Sequence, residues 1–125
     1  MNTIGYFEIQ SSQPAREISF YEKLFGWRFI REQFVPIEYY RIETNSINGG
    51  LLKRPAESPG KEFSANAFVC SIEVNNIDES LALAISLGAQ ISIPKFAIPG
   101  RCWQVYFTDL DNNSVGLFQP DSNAV

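Results

Sequence analysis

Residues 3 to 10, TIGYFEIQ, alternate in character, with Gly5, Phe7 and Ile9 on one side and Tyr6, Glu8 and Gln10 on the other. A period of two predicts a strand with one face turned to a core. After the polar residues 11 to 13, Pro14 suits the first turn of a helix. Ile18, Tyr21, Leu24 and Phe25 then recur at helical spacing, so this stripe is expected to face the core, and Gly26 stands where a helix ends. WRFIREQ (27–33), EYYRIET (38–44) and NGGLLKR (48–54) predict three further strands, the last entered by a turn around Asn45 and Ser46.

Residues 55 to 65, PAESPGKEFSA, concentrate Pro, Gly, Ser and charge, and read as a linker. The pattern then starts again. AFVCSIEV (67–74) alternates as a strand, with Cys70, Ile72 and Val74 on one face and Val69, Ser71 and Glu73 on the other. Asn76 followed by Glu79 resembles a helix-capping pair, Leu81, Ala84 and Ile85 supply an apolar stripe, and Gly88 closes the helix. QISIPKF, CWQVYFT and SVGLFQP predict three strands, the last two joined by the turn DLDNN (109–113).

The chain thus repeats strand–helix–strand–strand–strand. Two copies are too few for a solenoid and fit two halves of one pseudo-symmetric body. The expected class is α+β: two βαβββ modules forming a curved, half-open mixed sheet. The chain is expected to be one domain over 1–125, with module one at about 3–54, the linker at about 55–65 and module two at about 66–120. Gly5, Phe7, Ile9, Leu51, Cys70, Ile72, Val74, Val115 and Leu117 fit the helix-covered face. Tyr6, Glu8, Asn48, Gly50, Val69, Ser71, Glu73, Ser114, Gly116 and Phe118 take the other. That second face mixes small, polar and aromatic residues, which suits a ligand cavity and equally describes a solvated sheet face.

Composition narrows the chemistry. A chain of 125 residues, 45% apolar, buries a core without disulfides. The net charge is -4 and the ten Lys and Arg are scattered, so no nucleic-acid partner is expected. No apolar run is long enough to span a membrane, and no basic segment followed by an apolar one marks export, so a cytoplasmic chain is expected. Cys70 and Cys102 are then free thiols, read as small buried hydrophobes. There is no histidine, which removes Ser-His-Asp and Cys-His catalysis and every His-containing zinc site.

In order along the chain, YFEIQSSQPAREISFYEKLFGWRF, IEVNNIDESLALAISLGAQI, IPGRCW and YFTDLDNNSVGLFQ resemble the glyoxalase/bleomycin-resistance/dioxygenase superfamily, the vicinal oxygen chelate proteins. YFTDLDNN is similar to that family's F-x-D-P-D-G-N turn, with Leu110 and Asn112 where Pro and Gly are commoner. The resemblance implies paired βαβββ modules and a frequent homodimer. It covers lyases, dioxygenases, epimerases, thiol transferases and metal-free antibiotic-sequestering proteins, so it does not choose a function. Carried over residue by residue, the family's metal-ligand places fall on Tyr6, Gly50, Val69 and Gly116, which are non-ligands or, for Tyr6, a poor one. No metal ligand and no cofactor is therefore assigned.

The strongest acid–base candidate is Glu8, a carboxylate on the non-helix face whose pKa desolvation can raise, with Tyr6 beside it as a hydrogen-bond donor. Glu8 and Glu73 are also the oxygen donors for a hard divalent ion, if one binds at all. Alternatively Glu8 and Glu73 are solvated or paired with Arg41 or Arg101; Arg101, in IPGRC, which resembles a loop near the family's pocket mouth, is the candidate to meet an anionic ligand. Phe34, Tyr39, Tyr40, Trp103, Tyr106 and Phe118 form a dense aromatic set, of which Tyr40 and Trp103 fit core or interface better. The expected ligand-binding residues are Tyr6, Tyr39, Arg41, Gly50, Glu73, Arg101, Tyr106 and Phe118, with Gly50 letting a ligand approach the sheet. The leading expectation is a metal-free binder of a small, partly apolar molecule. Its rivals are an enzyme with Glu8 as general base, with or without a weak oxygen-ligated metal, and a non-catalytic interaction or regulatory domain.

Overall fold

The computed structural model describes residues 2–33, 35–54, 68–111 and 113–125. The linker at 55–65, Phe34 and Asn112 lie outside the described residues. The elements run β1 (Thr3–Ser11), α1 (Pro14–Phe25), β2 (Arg28–Arg31), β3 (Tyr39–Glu43), β4 (Gly49–Lys53), β5 (Val69–Glu73), α2 (Ile77–Ser86), β6 (Gln90–Ile98), β7 (Cys102–Thr108) and β8 (Ser114–Pro120). This is the expected α+β order, βαβββ twice. None of the described helices is long and apolar enough to cross a membrane.

The chain divides into two compact units, Tyr6–Phe68 and a second made of Val69–Val125 with the residues up to Gly5. β1 therefore contributes to both. Gly5, expected on the helix-covered face beside Phe7, instead has the Phe118 ring 2.8 Å from where its own Cβ would be, with the Glu73 Cβ in ordinary contact at 3.5 Å. The start of β1 follows the second unit, which period alone does not reveal.

In the first unit the strand order is β2-β3-β4-β1. β2 and β4 run antiparallel to β3, and β1 runs parallel to β4. Ile9, Ile42 and Leu51 are buried, with Phe7, Ile18, Tyr21, Trp27, Phe29 and Tyr40 packed around them. Each of these aliphatic chains contributes about 1.5–3 kcal/mol on burial. α1 begins at Pro14 and ends at Gly26, whose φ of 71° is left-handed and whose N–H donates to the Glu22 carbonyl. Ile18 and Tyr21 form the covered stripe, whereas Leu24 and Phe25, expected in the core, are each 56% exposed. Phe25 instead lies against the Tyr21 and Trp27 rings, 6.1 and 5.1 Å between centroids, with its outer side open. Asn48, expected on the open face, accepts the Thr44 N–H and so closes the β3–β4 turn.

In the second unit the order is β5-β8-β7-β6, with β5 parallel to β8 and the rest antiparallel. Val74, Ile77, Val105 and Leu117 form the core, flanked by Ile72, Leu81, Trp103 and Phe107. The Asn76 side chain accepts the Glu79 N–H, the expected cap, and the Gln119 side chain accepts the Ile77 N–H at 2.9 Å. Two of the donors that a helix start leaves unsatisfied are thereby met. Ile85, expected in the stripe, is exposed. Pro94 lies within β6, which ends the strand order, where a missing N–H is tolerated. Cys70 and Cys102 are half-buried rather than core residues. Tyr40 and Trp103 do lie on the helix-covered faces.

Candidate functional site

The non-helix face of the first unit is set by strand register. Glu8 on β1 lies opposite Gly50 on β4, and Gly50 lies opposite Arg41 on β3. Glu8, Gly50 and Arg41 therefore form one row across three strands. Tyr6 precedes Glu8 by two residues and Tyr39 precedes Arg41 by two, so both share that face.

The Tyr39 hydroxyl joins them. It donates to Glu8 Oε2 at 3.0 Å and lies 2.8 Å from the Tyr6 hydroxyl. A phenol carries one proton. With that proton committed to Glu8, the Tyr6 hydroxyl is the donor in its contact with Tyr39. The direction of the row is thus Tyr6 to Tyr39 to Glu8. Burial first, then the charge of Glu8 and the nearness of Tyr6, raise the Tyr39 pKa far above the ordinary tyrosine value. Tyr39 therefore remains a donor through the whole range in which proteins are stable.

Gly50 makes this arrangement possible. A Cβ there would fall on the Tyr39 hydroxyl and 2.8 Å from its Cε1. The space a side chain at residue 50 would need is occupied by the phenol of a neighbouring strand.

The second unit repeats the device with other chemistry. Gly116 on β8 lies opposite Ser71 on β5 and Tyr106 on β7. A Cβ on Gly116 would meet the Ser71 hydroxyl and lie 2.8 Å from Gln104 Nε2. Gln104 donates to Ser71 Oγ at 3.2 Å, and both residues are buried. Gln104 faces Phe118, two residues beyond Gly116, as Tyr39 faces Leu52, two beyond Gly50. Tyr39 and Gln104 are therefore register equivalents.

The candidates from the sequence divide between the units. Tyr6, Glu8, Tyr39, Arg41 and Gly50 come together in the first. Glu73, Arg101, Tyr106 and Phe118 belong to the second. There Glu73 faces Phe118, Tyr106 stacks on Phe96 at 6.3 Å between centroids, and Arg101 sits in the exposed β6–β7 turn. Gln104 escaped the sequence reading because its side chain matters only through the register of β7 against β8. The paired Gly50 and Gly116 were its one visible trace.

A model of the Glyoxalase/Bleomycin resistance protein/Dioxygenase superfamily matches residues 3–117. The chain belongs to this superfamily. Among curated protein sequences none matches it. Solved structures of superfamily folds do. A hypothetical protein from Bacillus halodurans superposes with a TM-score of 0.70 at 14% identity, covering 98% of this chain and 97% of that one. A methylmalonyl-CoA epimerase from Streptomyces coelicolor gives 0.73 at 12% identity over 100% and 99% of the two chains. A superfamily member from Vibrio splendidus gives 0.67 at 11% identity over 91% and 96%. At these identities the likeness is one of fold.

The superfamily's metal places do not fit a metal in this chain. Of Tyr6, Gly50, Val69 and Gly116, only Tyr6 carries a donor atom, and its hydroxyl is bonded to Tyr39. The spaces at Gly50 and Gly116 are filled by Tyr39 and by Ser71 with Gln104. Among the described residues no group of three or more Cys, Asp or Glu gathers as a metal cage would require. The Glu8 carboxylate is engaged as acceptor of the Tyr39 hydroxyl's hydrogen bond.

Proposed function

We propose that this superfamily member binds a small, partly apolar molecule without a resident metal, on the non-helix face of its first unit. The observation that carries the reading is the Tyr6–Tyr39–Glu8 hydrogen-bonded row, held where a side chain at Gly50 would otherwise stand. Polar groups fixed in place on a sheet face, beside the apolar Leu52 and Ile30, are the makings of an orienting site. The chain acts as a homodimer with neither nucleic-acid nor membrane partners, and light scattering checks its mass. Fragment screening by amide chemical-shift mapping tests the site. Saturable shifts at Tyr6, Glu8, Tyr39 and Gly50, weakened in Tyr39→Phe, are expected. Shifts confined to other residues, or unchanged in Tyr39→Phe and Glu8→Gln, would overturn it.

The same row favours a second reading, catalysis with Glu8 as general base. Tyr39, held protonated, can keep its hydrogen bond to Glu8 while that carboxylate takes a proton from a substrate. On this reading Glu8→Gln abolishes turnover and leaves the fold intact.

A further inference from the structure

Arg41 is the one element of the site row that the Tyr6–Tyr39–Glu8 chain does not use. Its backbone lies opposite Gly50 on one side, where there is no side chain, and opposite Ile30 on the other, where there is no charge. Glu43, two residues along the same strand face, is 3.7 Å from Arg28. Across the row, Glu8 Oε2 holds the Tyr39 hydroxyl. Among the described residues the Arg41 side chain makes no hydrogen bond and no ion pair. Its side chain is nevertheless half-buried, so part of its hydration is already lost.

We propose that Arg41 anchors a carboxylate of the bound molecule. This rests on the binding reading above and names the class of ligand. A guanidinium offers parallel N–H donors that match the two oxygens of a carboxylate. The charge count favours a monoanion over a phosphate dianion. Arg28, on the same face of β2 as Ile30, is engaged with Glu43, and the Glu8 carboxylate stands across the row. Ile30 and Leu52 flank the anchor, so the remainder of the ligand is apolar.

The test compares benzoate, phenylacetate and propionate with benzamide, phenylacetamide and propionamide on the full chain. Titrations follow the Arg41 Nε–H resonance and the Gly50 amide. Carboxylates are expected to shift both saturably and to bind at least about tenfold more tightly than their amides. Arg41→Gln should erase that preference, Arg41→Lys should keep part of it, and Arg28→Gln should leave it unchanged. Equal binding of acids and amides, unaffected by Arg41→Gln, overturns the carboxylate anchor. Binding that still shifts Tyr39 and Gly50 would then leave the site itself standing. Carboxylates that never shift Arg41 overturn the anchor as well.

Discussion

A Cβ on Gly50 would fall on the phenolic oxygen of Tyr39. The two residues are one strand apart and compete for a single volume, so the pair is coupled. Gly50→Ala should destabilise by about 1–3 kcal/mol, the usual range for overpacking. In a Tyr39→Ala background the same change should cost much less. A double-mutant cycle by urea denaturation measures the coupling, expected at about 0.5–3 kcal/mol for contacting residues.

Tyr39→Phe keeps the ring and removes the oxygen that links Tyr6 to Glu8. A loss of about 1–3 kcal/mol is expected, because each partner loses a half-buried hydrogen bond. Tyr6→Phe should cost less, since the Tyr39 bond to Glu8 survives it. Denaturation midpoints of the two variants order them.

Alkaline stability follows from Tyr39. Its folded pKa lies above its unfolded one, so the folded state keeps a proton that the unfolded state releases. The contribution is complete below about pH 10 and declines as pH rises beyond it, by at most about 1.4 kcal/mol per pH unit. Tyr39→Phe should flatten the alkaline limb of a stability profile relative to wild type.

Asn76→Ala removes the side chain that accepts the Glu79 N–H. The expected cost is about 1 kcal/mol. Gln119→Ala should add to it, because it frees the Ile77 N–H on the same helix start. Thermal denaturation of both single variants and the double checks this.

Untagged protein loaded with Mn²⁺, Ni²⁺ or Zn²⁺ and desalted should retain no stoichiometric metal. Tyr39 and Gln104 fill the spaces that ligands at residues 50 and 116 would need. Elemental analysis gives the answer directly, and one equivalent of retained metal would contradict the fit described for these positions.

The sequence determined the order of elements and the face of most strand residues. Period two put Phe7, Ile9 and Leu51 against a helix and left Tyr6, Glu8 and Gly50 on the other side, because alternation is local geometry. It also carried the missing ligands, since a chain without histidine lacks histidine in any fold. Helix exposure was less legible: Leu24 and Ile85 have the right spacing yet are exposed, because spacing sets the direction of a side chain and not what packs against it. The site itself was decided only in three dimensions. Tyr39 and Glu8 are 31 residues apart, and their hydrogen bond depends on β3 pairing with β4, and β4 with β1, in one register. A shift of one residue would turn either side chain to the opposite face, and nothing local to either strand specifies that pairing.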